Sequence, residues 1–122
     1  MALIPTLTIK DSTTFSDEIN FSVTDSLTVA APAQSLSTIA CATAGANSII
    51  VPASTSNCYL FVRHTGNNSA VVLVENTNDD QFANLKSGEW MFLPFAQHGG
   101  ASLGVQVQSA AAVVIEYAYW TI

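Results

Sequence analysis

The chain has 122 residues, of which only 10% are charged, and its nine acidic and three basic side chains give a net charge of −6. This length suits a single domain with its own core, but so few charges protect a monomer poorly against association, which predicts contacts between copies. Three scattered cations cannot neutralise a row of phosphates or anionic lipids, which excludes nucleic-acid binding and a basic membrane-surface patch.

Residues 3–31 alternate apolar side chains with Ser, Thr and Asp, which is the pattern of half-buried strands. Such strands hold few large apolar groups, so they bury little surface alone and should add to the edge of a larger sheet. We predict an extended N-terminal β arm over residues 1–34 that pairs with a neighbouring subunit; the alternative is that these are the first strands of the same sandwich. The predicted contact residues of the arm are Leu7, Ile9, Ile19, Phe21, Val23, Leu27 and Val29.

The stretch 30–34 is the predicted linker, because Pro32 cannot continue a strand ladder, and residues 35–122 are the predicted body. Turn signals recur in the body at intervals of about 8 to 12 residues, as in a sandwich or barrel, and no segment has a sustained helical period. Strands are expected at 36–42, 48–51 (ending at Pro52), 58–64, 70–75, 81–85, 89–95, 102–108 and 112–121. We predict an all-β fold, with a single antiparallel β-sandwich of jelly-roll type.

The stretch 88–95 has apolar bulk at both parities, since Trp90, Met91, Phe92 and Leu93 follow one another. A run of this kind is typical of a strand that is covered on both faces. We therefore predict that it lies at the centre of a sheet, with Trp90 in the core.

The last predicted strand alternates Tyr117 and Tyr119 with Glu116, which places the tyrosines in the core or at an interface and the carboxylate outside. Trp120 is expected to be partly exposed and is the last predicted contact residue. The tyrosines and tryptophans, with Tyr59, could instead form a platform for a sugar, because aromatic faces stack on apolar sugar faces. Glycan binding is therefore an alternative function.

The candidate acid–base side chains are two histidines and four carboxylates: His64, His98, Glu75, Asp79, Glu89 and Glu116. The histidines lie at a strand end and in a glycine-flanked loop, where exposed polar side chains are expected. No nucleophile elbow, zinc-binding helix motif or phosphate-binding loop accompanies them. The acidic run 76–80 lacks the spaced carboxylates of a calcium loop. We predict no enzymatic activity, no cofactor and no metal site.

Cys41 and Cys58 lie on either side of a turn at Gly45, so a disulfide is possible. Their spacing is not that of a zinc or redox motif, and we predict buried free thiols. The N-terminus lacks the basic and long apolar segments of a signal peptide, and no run has the length of a membrane span. We therefore expect synthesis and assembly in a cytoplasm.

Three segments of the C-terminal half carry a recognisable pattern: 59–64, 82–94 and 113–120. The second contains Gly88-Glu89-Trp90-Met91-Phe92-Leu93-Pro94, and the third contains Glu116-Tyr117-Ala118-Tyr119. They resemble small all-β virion proteins of tailed bacteriophages, especially those of aquatic bacteria, in which a Ser/Thr-rich extended segment precedes a compact sandwich. The resemblance covers roughly residues 57–122 and rests on packing motifs, so it transfers no functional residues.

The resemblance implies a non-enzymatic structural protein of the virion, foremost a capsid decoration or cement protein assembled in the host cytoplasm. Its expected partners are copies of itself, a trimer being compatible with this function, and the major capsid protein or other virion proteins. A soluble monomer coated with Ser and Thr is the alternative to self-association. The alternative functions are a tail, baseplate or fibre-associated component and, from another class, a carbohydrate-binding module for host attachment.

Overall fold

The computed structural model describes residues 1–10, 20–41, 46–54, 56–96 and 102–122, with the backbone alone for 31–34. These residues form strands and no helix, and the chain divides into two compact units, Met1–Ala30 and Ala31–Ile122. The strands are β1 (Ala2–Leu3), β2 (Thr6–Lys10), β3 (Asn20–Thr24), β4 (Leu27–Thr28), β5 (Ala31–Ala40), β6 (Ser48–Ser54), β7 (Cys58–His64), β8 (Val72–Asn76), β9 (Gln81–Leu85), β10 (Trp90–Phe95), β11 (Leu103–Ser109) and β12 (Val114–Thr121).

The first unit is one interrupted antiparallel ribbon. Strand β1 pairs with β4 and β2 pairs with β3 in the same register, since Leu3 lies opposite Leu27 and Thr6 lies opposite Thr24. Between the two pairs, the carbonyl of Pro5 accepts a hydrogen bond of 3.1 Å from the Asp25 N–H. The interruption falls at Pro5 because proline has no N–H to donate to a ladder.

The second unit, the body, is a β-sandwich of two four-stranded antiparallel sheets, ordered β10-β7-β12-β5 and β6-β11-β8-β9. Among the described strands of the body, β8 and β9 are consecutive neighbours in one sheet, whereas every other consecutive pair is divided between the two sheets. Eight strands connected in this way form a jelly roll. The predicted all-β class and jelly-roll-like sandwich are confirmed.

The core lies between the two sheets and follows the alternation of the central strands. In β7, for example, Leu60 and Val62 are fully buried, while the intervening Phe61 points to the other side of the sheet. The buried side chains from both sheets form one cluster: Cys41, Ile50, Val51, Cys58, Leu60, Val62, Val72, Val74, Leu85, Val105, Val107, Val113 and Ile115. Fully burying a Val, Leu or Ile side chain contributes about 1.5–3 kcal/mol, so this cluster is what holds the sheets together.

The prediction that the stretch 88–95 lies at the centre of a sheet is wrong. Strand β10 is an edge strand that pairs with β7 alone among the described strands. Its residues Met91 and Leu93 lie opposite Val62 and Leu60 and face the core, whereas Trp90 is 54% exposed. The run is apolar at both parities because one side packs on the core and the other forms part of an outer face of the sandwich.

The predicted linker and the predicted strand end at Pro52 are also wrong. Strand β5 begins at Ala31, so the stretch 30–34 is mostly strand, and β6 continues through Pro52 to Ser54. Both strands are edge strands, where a missing N–H on the outer side costs no ladder bond. Next to each proline the ladder shifts register, which accommodates the rigid residue.

The shift in the β6–β11 ladder brings two backbones unusually close. Gly104 lies on β11 at this shift, and a Cβ built on it would be 2.3 Å from the carbonyl oxygen of Val51 and 2.8 Å from the Ala53 nitrogen. No side chain fits in that space. Glycine is therefore required here by close approach of the backbones.

Candidate functional site

The ribbon of the first unit has one polar face. Across β2 and β3, the hydroxyl groups of Thr6 and Thr24 are hydrogen-bonded at 2.8 Å, and those of Thr8 and Ser22 at 3.0 Å. Directly opposed residues of an antiparallel pair share a face, so these hydroxyls all lie on the same side. The side chains between them must point to the other side.

That other side is the ribbon's apolar face, formed by Leu7, Ile9, Phe21 and Val23. Leu7 lies opposite Val23, and Ile9 lies opposite Phe21. The exposed fractions are 42% for Ile9, 45% for Phe21 and 51% for Val23, while Leu7 is half-buried. The structure thus gathers four of the predicted contact residues on one exposed surface of an amphipathic ribbon.

The remaining predicted contact residues do not join this face. Leu27 is half-buried opposite Leu3, and Val29 is buried, with its N–H bonded to the carbonyl of Met1 at 3.0 Å. Ile19 lies outside the described residues. Trp120 belongs to β12 in the body, where it is half-buried.

A second surface, the outer aromatic face, covers the outside of the β10-β7-β12-β5 sheet. Three rows run across its strands: Trp90, Arg63 and Glu116; then Phe92, Phe61 and Ala118; then Pro94, Tyr59 and Trp120. These residues alternate with the core residues of the same strands, which places them on the outside. The face therefore presents five aromatic side chains, Tyr59, Phe61, Trp90, Phe92 and Trp120.

The outer aromatic face contains a stacked pair of rings, and its first row contains an ion pair. The rings of Tyr59 and Phe92 stack with centroids 5.9 Å apart and planes inclined by 12°. In the first row, Arg63 Nη1 lies 3.5 Å from Glu116 Oε1, and the two side chains are 46% and 27% exposed. An ion pair near the surface adds little stability, and part of each charged side chain remains accessible to solvent.

The sequence located this face only in part. Tyr117 and Tyr119 face inward opposite Val62 and Leu60, and Glu116 faces outward, as the alternation predicted. Trp90 was expected in the core and is instead exposed. The face also includes Phe61 and Phe92, which were not singled out. The signal that could have found them is parity, since Phe61 alternates with Leu60 and Val62 as Tyr59 does.

The outside of the other sheet includes a polar network centred on the buried carboxylate of Glu75. Glu75 accepts hydrogen bonds from the side-chain amides of Gln106, at 2.9 Å, and Gln108, at 3.1 Å. The same Gln106 amide donates to the Asp79 carboxylate at 2.7 Å, and the Asn47 side-chain amide also donates to Asp79, at 3.2 Å. Buried polar groups need such partners, and the amides of Gln106 and Gln108 provide them for Glu75.

The candidate base His64 is not exposed, which differs from the expectation drawn from the sequence. It is fully buried at the end of β7. Its Nδ1 accepts a hydrogen bond of 3.0 Å from the Gly66 N–H, and its Nε2 donates to the Ala70 carbonyl at 2.9 Å. Because the Gly66 N–H donates to Nδ1, Nδ1 carries no proton, and the ring proton is on Nε2. Both ring nitrogens therefore hold the β7–β8 loop.

The candidate acid–base residue Glu89 and the polar 76–80 loop make hydrogen bonds within turns. Glu89 accepts a hydrogen bond of 2.7 Å from the Lys86 N–H in the turn before β10. In the 76–80 loop, the Asn76 side-chain oxygen accepts from the N–H groups of Asn78, at 2.9 Å, and Asp80, at 3.1 Å. His98 lies outside the described residues.

The two cysteines are buried free thiols, and they are far apart. The Cys41 N–H donates to the Val113 carbonyl at one end of β12, whereas Cys58 pairs with Thr121 at the other end. Eight residues of strand separate these points by about 26 Å, while a disulfide requires Cα atoms within about 7 Å. An intrachain disulfide, which the sequence left possible, is excluded in this fold.

Burial should make these thiols a source of alkaline instability. It raises the pKa of Cys58 from an ordinary 9.0 to about 11, and it also raises the pKa of Cys41. The unfolded state therefore loses the Cys58 proton first, and the free energy of unfolding should fall between about pH 9 and pH 11. For Cys58 alone the loss is about 2–3 kcal/mol. Urea unfolding at a series of pH values measures it.

A Cys58→Ala variant is the control for this loss. Removing the thiol should lower stability at neutral pH and flatten the decline between about pH 9 and pH 11. A residual slope remains, because burial also raises the pKa of Tyr119. An unchanged alkaline slope in the variant would contradict the assignment to Cys58.

Comparisons of this chain with protein families, curated proteins and solved structures found no match. Within the described ranges, no helix has the length and apolar character needed to cross a membrane. In the same ranges, no three His, Cys, Asp or Glu side chains come together as metal ligands. The surfaces available for function in this part of the chain include the ribbon's apolar face and the outer aromatic face.

Proposed function

We propose that this chain is a non-enzymatic structural protein of a bacteriophage virion, and specifically a capsid decoration or cement protein. The observation that carries the proposal is the ribbon's apolar face, in which Ile9, Phe21 and Val23 are each more than two-fifths exposed. Low charge, a jelly-roll body and the resemblance of residues 57–122 to phage virion proteins support it. Such a protein works by covering apolar surface between neighbouring subunits.

The energetics of the ribbon favour a function in association. A two-stranded ribbon is marginally stable by itself in water, so covering its apolar face stabilises the ribbon as well as the contact. Fully burying one side chain such as Phe21 or Val23 contributes about 1.5–3 kcal/mol, before the cost of immobilising a partner is subtracted. A single such contact is modest. Symmetric repetition in a shell uses the same contact many times and makes it sufficient.

The first expected partner is another copy of the chain, and the second is the major capsid protein. The rival structural function, in a tail, baseplate or fibre, would use the same apolar contact in fewer copies. The number of copies in a purified particle separates the two: hundreds correspond to a shell, and a handful to a tail. The carbohydrate-binding alternative depends on the outer aromatic face and is argued separately below.

The test of this proposal is a double substitution on the ribbon, Ile9→Ser with Phe21→Ser. These residues lie opposite each other on the apolar face. We expect the wild-type protein to self-associate at micromolar concentration and to bind purified capsid shells. The variant should lose both properties, with affinity reduced at least about a hundredfold. Size-exclusion chromatography with light scattering and co-sedimentation with shells measure them.

The matched control changes the opposite face of the same strands, Thr8→Ala with Ser22→Ala. It removes one hydroxyl–hydroxyl hydrogen bond across the ribbon and leaves the apolar face intact. Association should therefore survive, with a change of no more than about fivefold. A wild-type protein that stays monomeric and does not bind shells would overturn the proposal. If the two double variants weakened association equally, the apolar face would not be the contact surface.

A further inference from the structure

The first row of the outer aromatic face combines an exposed ring with an exposed ion pair. Trp90 lies directly opposite Arg63 on the neighbouring strand, and Arg63 lies directly opposite Glu116 on the strand after that. Adjacent strands are about 4.8 Å apart, so the row extends about 10 Å from the indole to the carboxylate. More than half of the Trp90 side chain is exposed, together with nearly half of Arg63.

This row has the chemistry that a sugar requires. The indole offers a flat apolar surface on which the C–H face of a hexopyranose ring can stack. Beside it, the guanidinium of Arg63 offers several N–H donors and the carboxylate of Glu116 offers acceptor oxygens, while each sugar hydroxyl both donates and accepts. The length of the row is comparable to that of a disaccharide.

We propose that the outer aromatic face binds a neutral glycan. One hexopyranose ring stacks on Trp90, and hydroxyl groups of the glycan are hydrogen-bonded to Arg63 and Glu116. The proposal does not depend on the virion function, because it uses a different surface and a different partner. It extends that function if both hold, since a surface subunit would then also attach to polysaccharide.

The charge of the protein selects neutral over anionic glycans. The net charge is −6 and Glu116 is part of the row, so a sulfated or uronic-acid polymer would be repelled. A single arginine, already paired at 3.5 Å with a carboxylate, does not reverse this field. Neutral polymers of glucose, galactose, mannose or N-acetylglucosamine meet no such penalty.

The ion pair also favours a glycan over an apolar protein partner. A protein surface docked on the row would take Arg63 and Glu116 out of water, which costs several kcal/mol per ion unless each charge gains new partners. A sugar instead replaces water molecules by hydroxyl groups, so the pair stays solvated by polar groups. The occupant that matches both the ring and the charges is therefore a polyhydroxylated chain.

The test uses the whole chain and named probes. The neutral probes are laminarin, mannan, dextran, agarose oligosaccharides and chitin oligosaccharides, and the anionic probes are alginate and heparin. Affinity electrophoresis and tryptophan fluorescence titration measure binding. We expect at least one neutral probe to bind, and Trp90→Ala to weaken it at least about tenfold, because the stacking surface is lost. Arg63→Met, which keeps an unbranched apolar stem but removes the guanidinium donors, should weaken it several-fold.

The matched control is Ile49→Ala, which removes an exposed apolar side chain on β6, in the other sheet, and should leave affinity unchanged. Thermal unfolding followed by circular dichroism checks that each variant is folded. The proposal is overturned if no neutral probe binds at millimolar concentration, if only alginate or heparin binds, or if Trp90→Ala and Arg63→Met bind as the wild type does. It is also overturned if Trp90→Ala abolishes self-association without changing glycan affinity, because the face is then a protein interface.

Discussion

Replacing His64 by leucine is expected to lower the free energy of unfolding by about 3 kcal/mol, although leucine is apolar and of similar size. The imidazole is fully buried and holds two backbone groups, the Gly66 N–H at 3.0 Å and the Ala70 carbonyl at 2.9 Å. Leucine removes both of these part-buried hydrogen bonds and places an apolar side chain beside the two polar backbone groups. Since domains of this size are stable by roughly 5–15 kcal/mol, this single change removes a large part of the total. Urea unfolding followed by tryptophan fluorescence measures it.

Two further variants identify the cause of the loss. His64→Asn can place its side-chain oxygen where Nδ1 accepts the Gly66 N–H, so it should recover part of the stability lost in the leucine variant. Arg63→Ala changes the neighbouring exposed residue and should cost less than about 1 kcal/mol. If His64→Leu were as stable as the wild type, the two ring hydrogen bonds would not be needed to hold the loop.

Replacing Gly104 by alanine is expected to cost about 3 kcal/mol, which is large for the addition of one methyl group. The new Cβ would lie 2.3 Å from the Val51 carbonyl oxygen and 2.8 Å from the Ala53 nitrogen. These are backbone atoms, so the strain cannot be relieved by rotating a side chain. Strands β6 and β11 must separate, which disturbs ladder bonds beside the core residues Val51 and Val105.

The matched control for Gly104→Ala is Gly88→Ala. A Cβ at Gly88 would meet no atom within 4 Å, but this glycine has a φ of +82°, so alanine should cost about 1 kcal/mol from backbone strain alone. Thermal unfolding of both variants, compared at the same pH, separates a steric from a conformational cost. Equal losses of stability in the two variants would show that the contact with Val51 does not determine the cost of Gly104→Ala.

Much of the body could be predicted because its central strands obey a simple alternation. Strands β7 and β9 have the bounds that the pattern gave, since small polar turns enclose them. Alternation in β7 also explains why His64 is buried: it continues the inward series of Leu60 and Val62 to the strand end. Its position beside a loop indicated an exposed side chain, but its parity within the strand determines its burial.

The errors arose where a residue type has two opposite explanations. Apolar side chains at both parities around Trp90 indicated burial on both sides, but an exposed aromatic face has the same pattern. Proline indicated a boundary at Pro32 and Pro52, but an edge strand tolerates proline, and edges are a property of the assembled sheet. The order of strands in a sheet cannot be read from the strands themselves.

The candidate sites depend on the register between paired strands, so the sequence could predict the apolar side of each strand but not which residues meet across strands. The parities of Leu7 and Ile9, and of Phe21 and Val23, each indicate an apolar side for one strand. Only the pairing of Ile9 with Phe21 shows that both sides coincide. In the same way, Trp90, Arg63 and Glu116 lie far apart in the chain, and cross-strand pairing brings them into one row.

The strand order has a consequence for the timing of folding. In each sheet an inner position is filled by a late strand: β12 lies between β7 and β5, and β11 lies between β6 and β8. A nascent chain that has left the ribosome only as far as β10 therefore has two sets of strands with gaps between them. The native pairing of β5 and of β6 must await the last two strands, and contacts between positions so distant along the chain are slow to form. The sandwich should therefore close after translation has passed β12, in one late and cooperative event.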